Sequence, residues 1–349
     1  MLHGMSSTPS STTQRKQIVG WTMYDWANSA FTTIVVTFLY STYFSQGMAP
    51  DEVTGTALWS RAISISAIFI ALLSPIAGAL ADRGGRRRAY LMFTTIVGCV
   101  FTGALTFIGP GTEYAIFLAL SIFVLANIAF EVSGVFYNSF LPDIAPPEMI
   151  GRISGWGWSL GYFGGTVALV VALMAFVGLG DAPGWLGLDT TDGFNIRAVN
   201  LLVAAWFLVF SIPMFLWVKD EKPARSEGLD VGAAFAELKE TLSQIGKYRD
   251  IVRLLLARIV YNDGLVTVFA FGGIYAAGTF GMSFQDVLIF AIALNIAAGL
   301  GAALFGLVDD KIGAKKTIAI SLIALSVAVV LAVLAPTATW FWVAGILFG

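Results

Sequence analysis

Four ionisable side chains fall inside long apolar segments of the sequence: Asp25, Glu131, Arg258 and Asp263. A charged group is costly inside a bilayer, so an ionisable residue in a membrane-spanning helix is a functional candidate by default. At 1.5 Å per residue, Asp25 lies roughly 10 Å from the start of its segment, and Arg258 lies roughly 9 Å from the start of another. Glu131 reaches a similar depth from the end of a third segment. We expect Asp25, Glu131 and Arg258 to share one layer, where Arg258 pairs with a carboxylate.

Asparagine side chains accompany these groups on the same helical faces, three, four or seven positions away. They are Asn28, Asn127, Asn138 and Asn262. We hypothesise that the whole set binds a zwitterionic solute, with carboxylates receiving its ammonium group and Arg258 receiving its carboxylate. A protonatable Asp25 or Glu131 would also couple transport to protons. The alternative is a structural ion pair that only holds two parts of the molecule together.

A short polar motif occurs twice, and both copies place glycine, aspartate and glycine at the same spacing before basic residues. The first copy contains Gly78, Asp82, Gly85, Arg86 and Arg87, and the second contains Gly306, Asp310, Gly313 and Lys315. The first glycine of each copy would let a helix end pack closely against a neighbour, and the second would allow a tight turn. Each aspartate would cap a helix start or pair with the following cations, forming a cytoplasmic latch. The alternative is a set of topology-determining charges beside turn glycines.

The composition requires a lipid environment. The chain has 349 residues, of which 57% are hydrophobic and only 12% are charged, which is too little charge for a water-soluble surface. His3 and Cys99 are the single histidine and cysteine, so an intrachain disulfide, Cys/His zinc sites and Cys–His or Ser–His catalytic pairs are excluded. We expect no metal centre, no cofactor and no enzymatic activity. The formal charge of −2 argues against nucleic acid as a partner.

Apolar segments long enough to cross a bilayer as helices recur along nearly the whole chain. The predicted spans are 18–45, 57–81, 89–109, 114–140, 153–178, 197–218, 252–277, 284–308 and 316–335, and a tenth begins near Thr339. Lysines and arginines of the short loops fall on one side, beginning with Arg15 and Lys16. The positive-inside rule therefore places the N-terminus in the cytoplasm, and we expect the protein in the cell (inner) membrane.

Six spans separate the two copies of the motif, so the chain is predicted to contain a six-helix unit and part of a second. Its regions are a cytoplasmic tail (1–17), an N-terminal half (18–218), a central loop (219–250) and a partial C-terminal half (251–349). Apolar residues at Val231, Phe235 and Leu238 predict a surface helix in the central loop. Repeated halves of this kind are characteristic of secondary transporters, with the solute site near the midplane.

The paired loops resemble the signature loop of the major facilitator superfamily. The segments 24–31 (YDWANSAF), 137–144 (YNSFLPDI) and 151–162 (GRISGWGWSLGY) further resemble the branch that contains the yeast vacuolar amino-acid effluxer and its bacterial relatives. This resemblance implies an all-α polytopic bundle of six plus six helices, with the first, fourth and seventh lining a central cavity. It also implies twelve spans, whereas the sequence given ends within the tenth. The regular spacing of Gly157, Gly161 and Gly165 is predicted to serve close helix packing.

The resemblance implies export of amino acids or another small solute by alternating access, with protons as a possible coupling partner and the lipid bilayer as surroundings. We expect a monomer. Two alternatives stay open: a non-transporting receptor or sensor on the same scaffold, and a major facilitator for sugars or drugs. A membrane enzyme has no support, because no catalytic constellation is visible in the sequence.

Overall fold

The computed structural model describes residues 11–82, 85–179, 182–220, 240, 243–282 and 284–349. Long helices account for most of these residues. In chain order they are α1 (Ser11–Ala30), α2 (Glu52–Asp82), α3 (Arg87–Ala104), α4 (Ala115–Asn138), α5 (Ile150–Ala172), α6 (Val199–Trp217), α7 (Arg249–Phe280), α8 (Phe284–Ile312), α9 (Ala314–Val333) and α10 (Ala338–Phe348). The predicted surface helix at Val231, Phe235 and Leu238 lies outside the described residues.

Shorter elements extend or join these helices. After α1 the chain stays helical to Met48 through two π-helical stretches, Phe31–Phe38 and Phe44–Met48, which flank the helical turn Tyr40–Tyr43. Single helical turns occupy Leu105–Phe107, Leu141–Ile144, Pro147–Met149, Leu173–Val177, Thr191–Gly193, Phe194–Arg197 and Ile245–Lys247. After α5 the two-residue strands β1 (Gly178–Leu179) and β2 (Ala182–Pro183) pair antiparallel, with Gly178 opposite Pro183.

Seven helices among the described residues are long and apolar enough to cross a membrane, once short terminal turns are included. They are Glu52–Asp82, Arg87–Phe107, Ala115–Ile144, Pro147–Val177, Thr191–Trp217, Ile289–Ile312 and Ala314–Val333. α1 and α7 coincide with two further predicted spans, and both carry charged side chains; α10 is a shorter apolar helix. The predicted all-α polytopic fold is confirmed.

The N-terminal six helices are held by two apolar cores. α1 packs against α5 and α6, whereas α4 packs against α2 and α3. One core includes Trp21 and Tyr24 in the middle of α1. The other lies at the end of α1 and beyond it, and it includes Ile34 and Phe123. Both cores contain side chains of α1, so this helix is fixed along its length and can hold polar groups in defined positions.

Glycines bring α5 into close contact with α1. They follow one another at every fourth position: Gly157, Gly161 and Gly165. A Cβ atom added at Gly157 would lie 2.5 Å from Oδ2 of Asp25, and one added at Gly165 would lie 2.4 Å from Oγ1 of Thr33. A larger residue at either position would displace these neighbouring side chains, so the predicted close helix packing is confirmed. The matched order of these contacts shows that α1 and α5 run parallel.

The second half contacts the first mainly through α8. α8 packs along α5, and it also packs against α9 and α10. A third apolar core joins these later helices and includes Ala276, Phe290 and Phe341. The α5–α8 contact is therefore the main described junction between the two halves.

Candidate functional site

The carboxylate of Asp25 lies where α1, α4 and α5 meet. Tyr137 Oη of α4 donates a hydrogen bond of 2.7 Å to Asp25 Oδ2. Tyr137 is itself held by Trp21, whose Nε1 donates to the Tyr137 carbonyl oxygen at 3.1 Å and whose ring stacks on the Tyr137 ring at 4.5 Å between centroids. Gly157 provides the space for the carboxylate on the α5 side. One oxygen of Asp25 is thus oriented by a buried aromatic side chain.

Glu131 does not complete a layer with Asp25, whereas the side chain of Asn28 forms a hydrogen bond with the Asp25 carboxylate. Asn28 Oδ1 accepts a hydrogen bond of 3.4 Å from the neighbouring Ser29 hydroxyl. Glu131 is exposed and forms no ion pair within the described part of the chain. The α4 partner of Asp25 is Tyr137, which lies six residues beyond Glu131, or about 9 Å along the helix.

The two α4 asparagines make contacts within the helical framework. Asn127 is buried, and its Nδ2 donates a hydrogen bond of 2.7 Å to Ser66 Oγ of α2. Asn138 is exposed, and its Nδ2 donates to the carbonyl oxygen of Gly134 in its own helix at 2.8 Å. Asn127 therefore joins α4 to α2, and only Asn138 has an exposed side chain.

The predicted ion pair of Arg258 with a carboxylate of the first half is wrong. Arg258, Asn262 and Asp263 are all exposed on α7, and Arg258 contacts neither Asp25 nor Glu131. The physical reason is the position of α7, whose main described contacts are with α8 and α10 rather than with α1 or α4. The guanidinium group therefore has no carboxylate neighbour from the described residues.

Asp310, in the second copy of the motif, contacts Arg152 of the first half. Its Oδ1 accepts a hydrogen bond of 3.1 Å from the backbone N–H of Arg152, and its Oδ2 lies 3.2 Å from Arg152 Nε. Arg152 is in the first turn of α5, where backbone N–H groups lack partners within the helix. Asp310 therefore caps α5 and pairs with its arginine at once, which favours a carboxylate on both electrostatic and hydrogen-bonding grounds. Asp310 does not pair with Lys315.

The first glycine of the motif behaves differently in the two copies. A Cβ atom added at Gly306 would lie 2.9 Å from the Gly151 carbonyl oxygen and 3.1 Å from Gly155 Cα, so α8 and α5 touch backbone to backbone. A Cβ added at Gly78 would meet nothing within 4 Å among the described residues. The predicted close packing is therefore wrong for Gly78, because no described helix covers that face of α2.

In the first copy, the motif arginine rather than the motif aspartate makes the contacts. Arg87 is 3% exposed, and it donates to Asp143 Oδ2 at 2.5 Å and to the Ser139 carbonyl oxygen at 2.8 Å. Its Nε lies 3.6 Å from Asp220 Oδ1, and its guanidinium group lies 4.5 Å above the Phe140 ring. Arg87 thus links the start of α3 to the ends of α4 and α6.

The remaining motif residues form the turns and the exposed rim. Gly85 and Gly313 have φ angles of 76° and 84°, in the region that favours glycine, so the predicted tight turns are present. Asp82, Arg86 and Lys315 are exposed and form no ion pair with another described residue. The predicted pairing of Asp82 with the cations that follow it is absent from the part of the chain described.

Sequence reasoning missed four residues of these networks as site members: Tyr137, Arg152, Asp143 and Asp220. Each lies far along the chain from its partner, so no local spacing identifies the pair. The neighbours of Arg152 could have indicated its contact. Gly151 and Gly155 are four residues apart, as are Gly306 and Asp310 at the end of α8. Small residues at this spacing let two helices approach closely.

A bundle of membrane-spanning helices, with the glycine–aspartate–glycine motif at the end of α2 and again at the end of α8, has the architecture of the major facilitator superfamily. The vacuole effluxer Atg22-like family matches residues 47–346, and the chain belongs to this family. The resemblance drawn from the sequence is confirmed. The family and the fold indicate a multi-pass membrane transporter rather than an enzyme.

Curated relatives include bacterial and fungal proteins. The MFS-type transporter YxiO of Bacillus subtilis (strain 168) is 27% identical over 339 residues, covering 95% of this chain and 76% of that protein. Autophagy-related protein 22 of Yarrowia lipolytica is 23% identical over 329 residues, and the alignment covers 72% of this chain and 53% of the fungal protein. The chain thus spans about half of the fungal relative.

Solved structures of the same fold include the E. coli xylose transporter XylE. In its partially occluded, inward-open conformation XylE matches with a TM-score of 0.63 at 13% identity, over 97% of this chain and 80% of that one. The proton:xylose symporter XylE bound to 6-bromo-6-deoxy-D-glucose matches with a TM-score of 0.59 at 16% identity. These similarities establish the fold.

Proposed function

We propose that the protein exports amino acids across the cell (inner) membrane as a monomer, with a cytoplasmic N-terminus and alternating access of two six-helix halves. The observation that carries this proposal is the oriented carboxylate of Asp25, which one tyrosine hydroxyl contacts at 2.7 Å. A carboxylate that is held by neutral hydrogen-bond donors, with no arginine beside it among the described residues, is suited to an ammonium group. The family's description as a vacuole effluxer supports export.

Arg258 and Glu131 have separate roles in the proposal. Arg258 on α7 would receive the solute carboxylate, since its guanidinium group has no described carboxylate partner and presents a bidentate donor geometry. Glu131 on α4 would take up and release the coupling proton. The exposed amides of Asn138 and Asn262 would contribute hydrogen bonds. In this proposal the solute itself joins the halves, because it bridges a carboxylate of α1 to a cation of α7.

A ligand screen by thermal shift tests the solute class. The purified full chain is mixed with individual amino acids, dipeptides and sugars including xylose, and the midpoint of unfolding is recorded. A ligand present at 100 times its Kd stabilises the folded state by about 2.7 kcal/mol, which gives a clear shift. We expect an amino acid to stabilise the wild type and Glu113→Gln, a control that removes an exposed loop carboxylate, but not Asp25→Asn.

The outcome also separates the alternatives. Stabilisation by sugars alone would replace amino-acid export with the sugar-transporter alternative, and equal stabilisation of Asp25→Asn would remove Asp25 from the site. A second comparison isolates Arg258: the wild type should prefer the amino acid over its decarboxylated amine, and Arg258→Gln should lose that preference. An unchanged preference in Arg258→Gln would contradict its proposed role.

A further inference from the structure

A groove runs between α1 and α5 on the side away from Asp25. It has a volume of about 330 Å³ and is lined by Ile18, Val19, Thr22, Trp156, Ser159 and Leu160. Four of the six lining side chains are apolar, and both hydroxyl groups belong to small residues. The side chain of Val19 is 48% exposed and that of Trp156 is 39% exposed, so the groove is open along one side.

The groove opens toward the outer helix α6 rather than toward α4. Val19 lies seven residues before Trp26, on the same face of α1, and the Trp26 carbonyl oxygen accepts a hydrogen bond from Trp206 of α6 at 3.3 Å. Trp21 and Asp25 lie four residues apart on a different face, and both contact Tyr137 of α4. The α1–α5 contact therefore separates the groove from the carboxylate, and the groove faces the surrounding lipid.

Two arginines lie at one end of this groove. Arg15 precedes Ile18, Val19 and Thr22 by three, four and seven positions, which places it on the groove face of α1. Arg152 likewise precedes the groove residues of α5 by four, seven and eight positions. Because α1 and α5 run parallel, both cations lie toward the same end of the groove. The contact of Gly157 with Asp25 places Arg152 level with Gly20, about 8 Å along the helix axis from Arg15.

Both cations have donors to spare. Arg15 is exposed, and the Arg152 side chain is 33% exposed. Asp310 engages only Nε of the Arg152 guanidinium group, and an arginine has four further N–H donors beyond that one. An anionic group at the groove end could therefore bind Arg15 and the outer edge of Arg152 together.

We propose that this groove binds an anionic phospholipid, with an acyl chain between α1 and α5 and the phosphate between Arg15 and Arg152. The contacts of α1 with α5 place Leu160 level with Asn28, so the groove extends about 15 Å from Ile18, which accommodates much of an acyl chain. Charge complementarity selects an anionic headgroup, since basic clusters beside membrane helices on the cytoplasmic side attract such lipids. The site is independent of the proposed solute.

Native mass spectrometry of the full chain tests the proposal, with phosphatidylglycerol and phosphatidylcholine of identical acyl chains as the lipids. We expect phosphatidylglycerol to be retained preferentially by the wild type. Arg15→Gln should lower its retention about fivefold, the factor that corresponds to about 1 kcal/mol for one cation near an anionic surface. Lys16→Gln is the matched control, because it removes the same charge from a different face of α1.

A second variant tests the groove itself. Val19→Trp fills the groove and should abolish preferential retention of phosphatidylglycerol, whereas Val100→Trp, a substitution at an exposed position of α3, should leave it unchanged. Equal retention of both lipids by the wild type would overturn the proposal. So would equal losses in Arg15→Gln and Lys16→Gln, which would show that general surface charge attracts the lipid. Retention unaffected by Val19→Trp would place the lipid elsewhere.

Discussion

Gly157 has no side chain, and the Asp25 carboxylate lies in the space that this leaves. For this reason α1 and α5 can pack closely although a polar group lies between them. Tyr137 donates a hydrogen bond to one oxygen of Asp25, and Trp21 donates a hydrogen bond to the carbonyl oxygen of Tyr137. A polar group in a membrane helix is tolerated where its hydrogen bonds are supplied by neighbours. The hydrogen bonds from Tyr137 and Asn28 therefore make the carboxylate tolerable with no opposing cation among the described residues.

Gly157→Ala is expected to destabilise the protein by about 1–3 kcal/mol, because the new methyl group would overpack against Asp25. Gly134→Ala is the matched control, since a Cβ atom at Gly134 would meet nothing within 4 Å among the described residues. Thermal unfolding in detergent measures both variants. Equal midpoints for the two would show that α1 and α5 are not in the contact described here.

Arg87→Ala is expected to cost about 3–5 kcal/mol, because it leaves the Asp143 and Asp220 carboxylates without their buried cation. Arg86→Ala removes the neighbouring exposed arginine and should change stability by less than about 0.5 kcal/mol. Thermal or denaturant unfolding distinguishes them. A small effect of Arg87→Ala would mean that water already screens this network.

At the residue scale, the sequence identified which polar groups enter the membrane but not all of their partners. Asp25 was found because a charge inside an apolar segment is conspicuous at any position. Tyr137 was not, because a tyrosine in a helix has no distinguishing spacing and its partner lies on another helix. The Arg258 pairing failed for a related reason: equal depth along two helices does not establish that their faces meet.

At the scale of elements, the two copies of the motif have the same sequence pattern and different surroundings. Gly306 lies against α5 backbone to backbone, whereas Gly78 lies in open space within the described structure. Asp310 caps α5 across the halves, whereas Asp82 is exposed. The motif therefore predicts a capacity for helix contact, and the neighbouring helix decides whether the contact forms.

Gly306→Ala should separate α8 from α5 and lower the midpoint of thermal unfolding, with a cost of about 1–3 kcal/mol from overpacking. Gly78→Ala, the equivalent change in the other copy, should be neutral or stabilising by up to about 1 kcal/mol, since alanine has the higher helix propensity. Circular dichroism melting of both variants provides the measurement. A larger loss in Gly78→Ala would contradict the assignment of the contact.

The start of α2 is expected to respond to acid. Hydrogen bonds from the Thr54 backbone N–H at 2.9 Å and from its hydroxyl at 2.7 Å lower the pKa of the Asp51 carboxyl. A lowered pKa stabilises the folded turn above the ordinary value for aspartate, and this stabilisation is lost as the pH falls through the lowered value. Intrinsic-rate-corrected amide exchange of the peptide containing Thr54 should therefore rise in acid, and less so in Asp51→Asn. Equal acid sensitivity of the two proteins would refute the cap.

At the scale of the whole molecule, the fold was predictable because apolar segment length and motif repetition do not depend on long-range geometry. Seven segments of sufficient length and apolarity form helices where spans are predicted, and the all-α polytopic fold follows from them. The junction between halves was predictable only in outline. A latch was expected from Asp310, but its partner Arg152 depends on how α8 crosses α5.

The distance between the start of α5 and the end of α8 shows whether the two halves rock about the contact of Asp310 with Arg152. Spin labels at Glu148→Cys and Ile312→Cys, in a Cys99→Ala background, report the distance between the start of α5 and the end of α8 in lipid nanodiscs by double electron–electron resonance. For an alternating-access transporter we expect both a short and a long distance between the labels. Asp310→Asn should increase the population with the long distance, because it weakens the cap on α5. A single short distance that Asp310→Asn leaves unchanged would contradict the latch and the rocking of the halves.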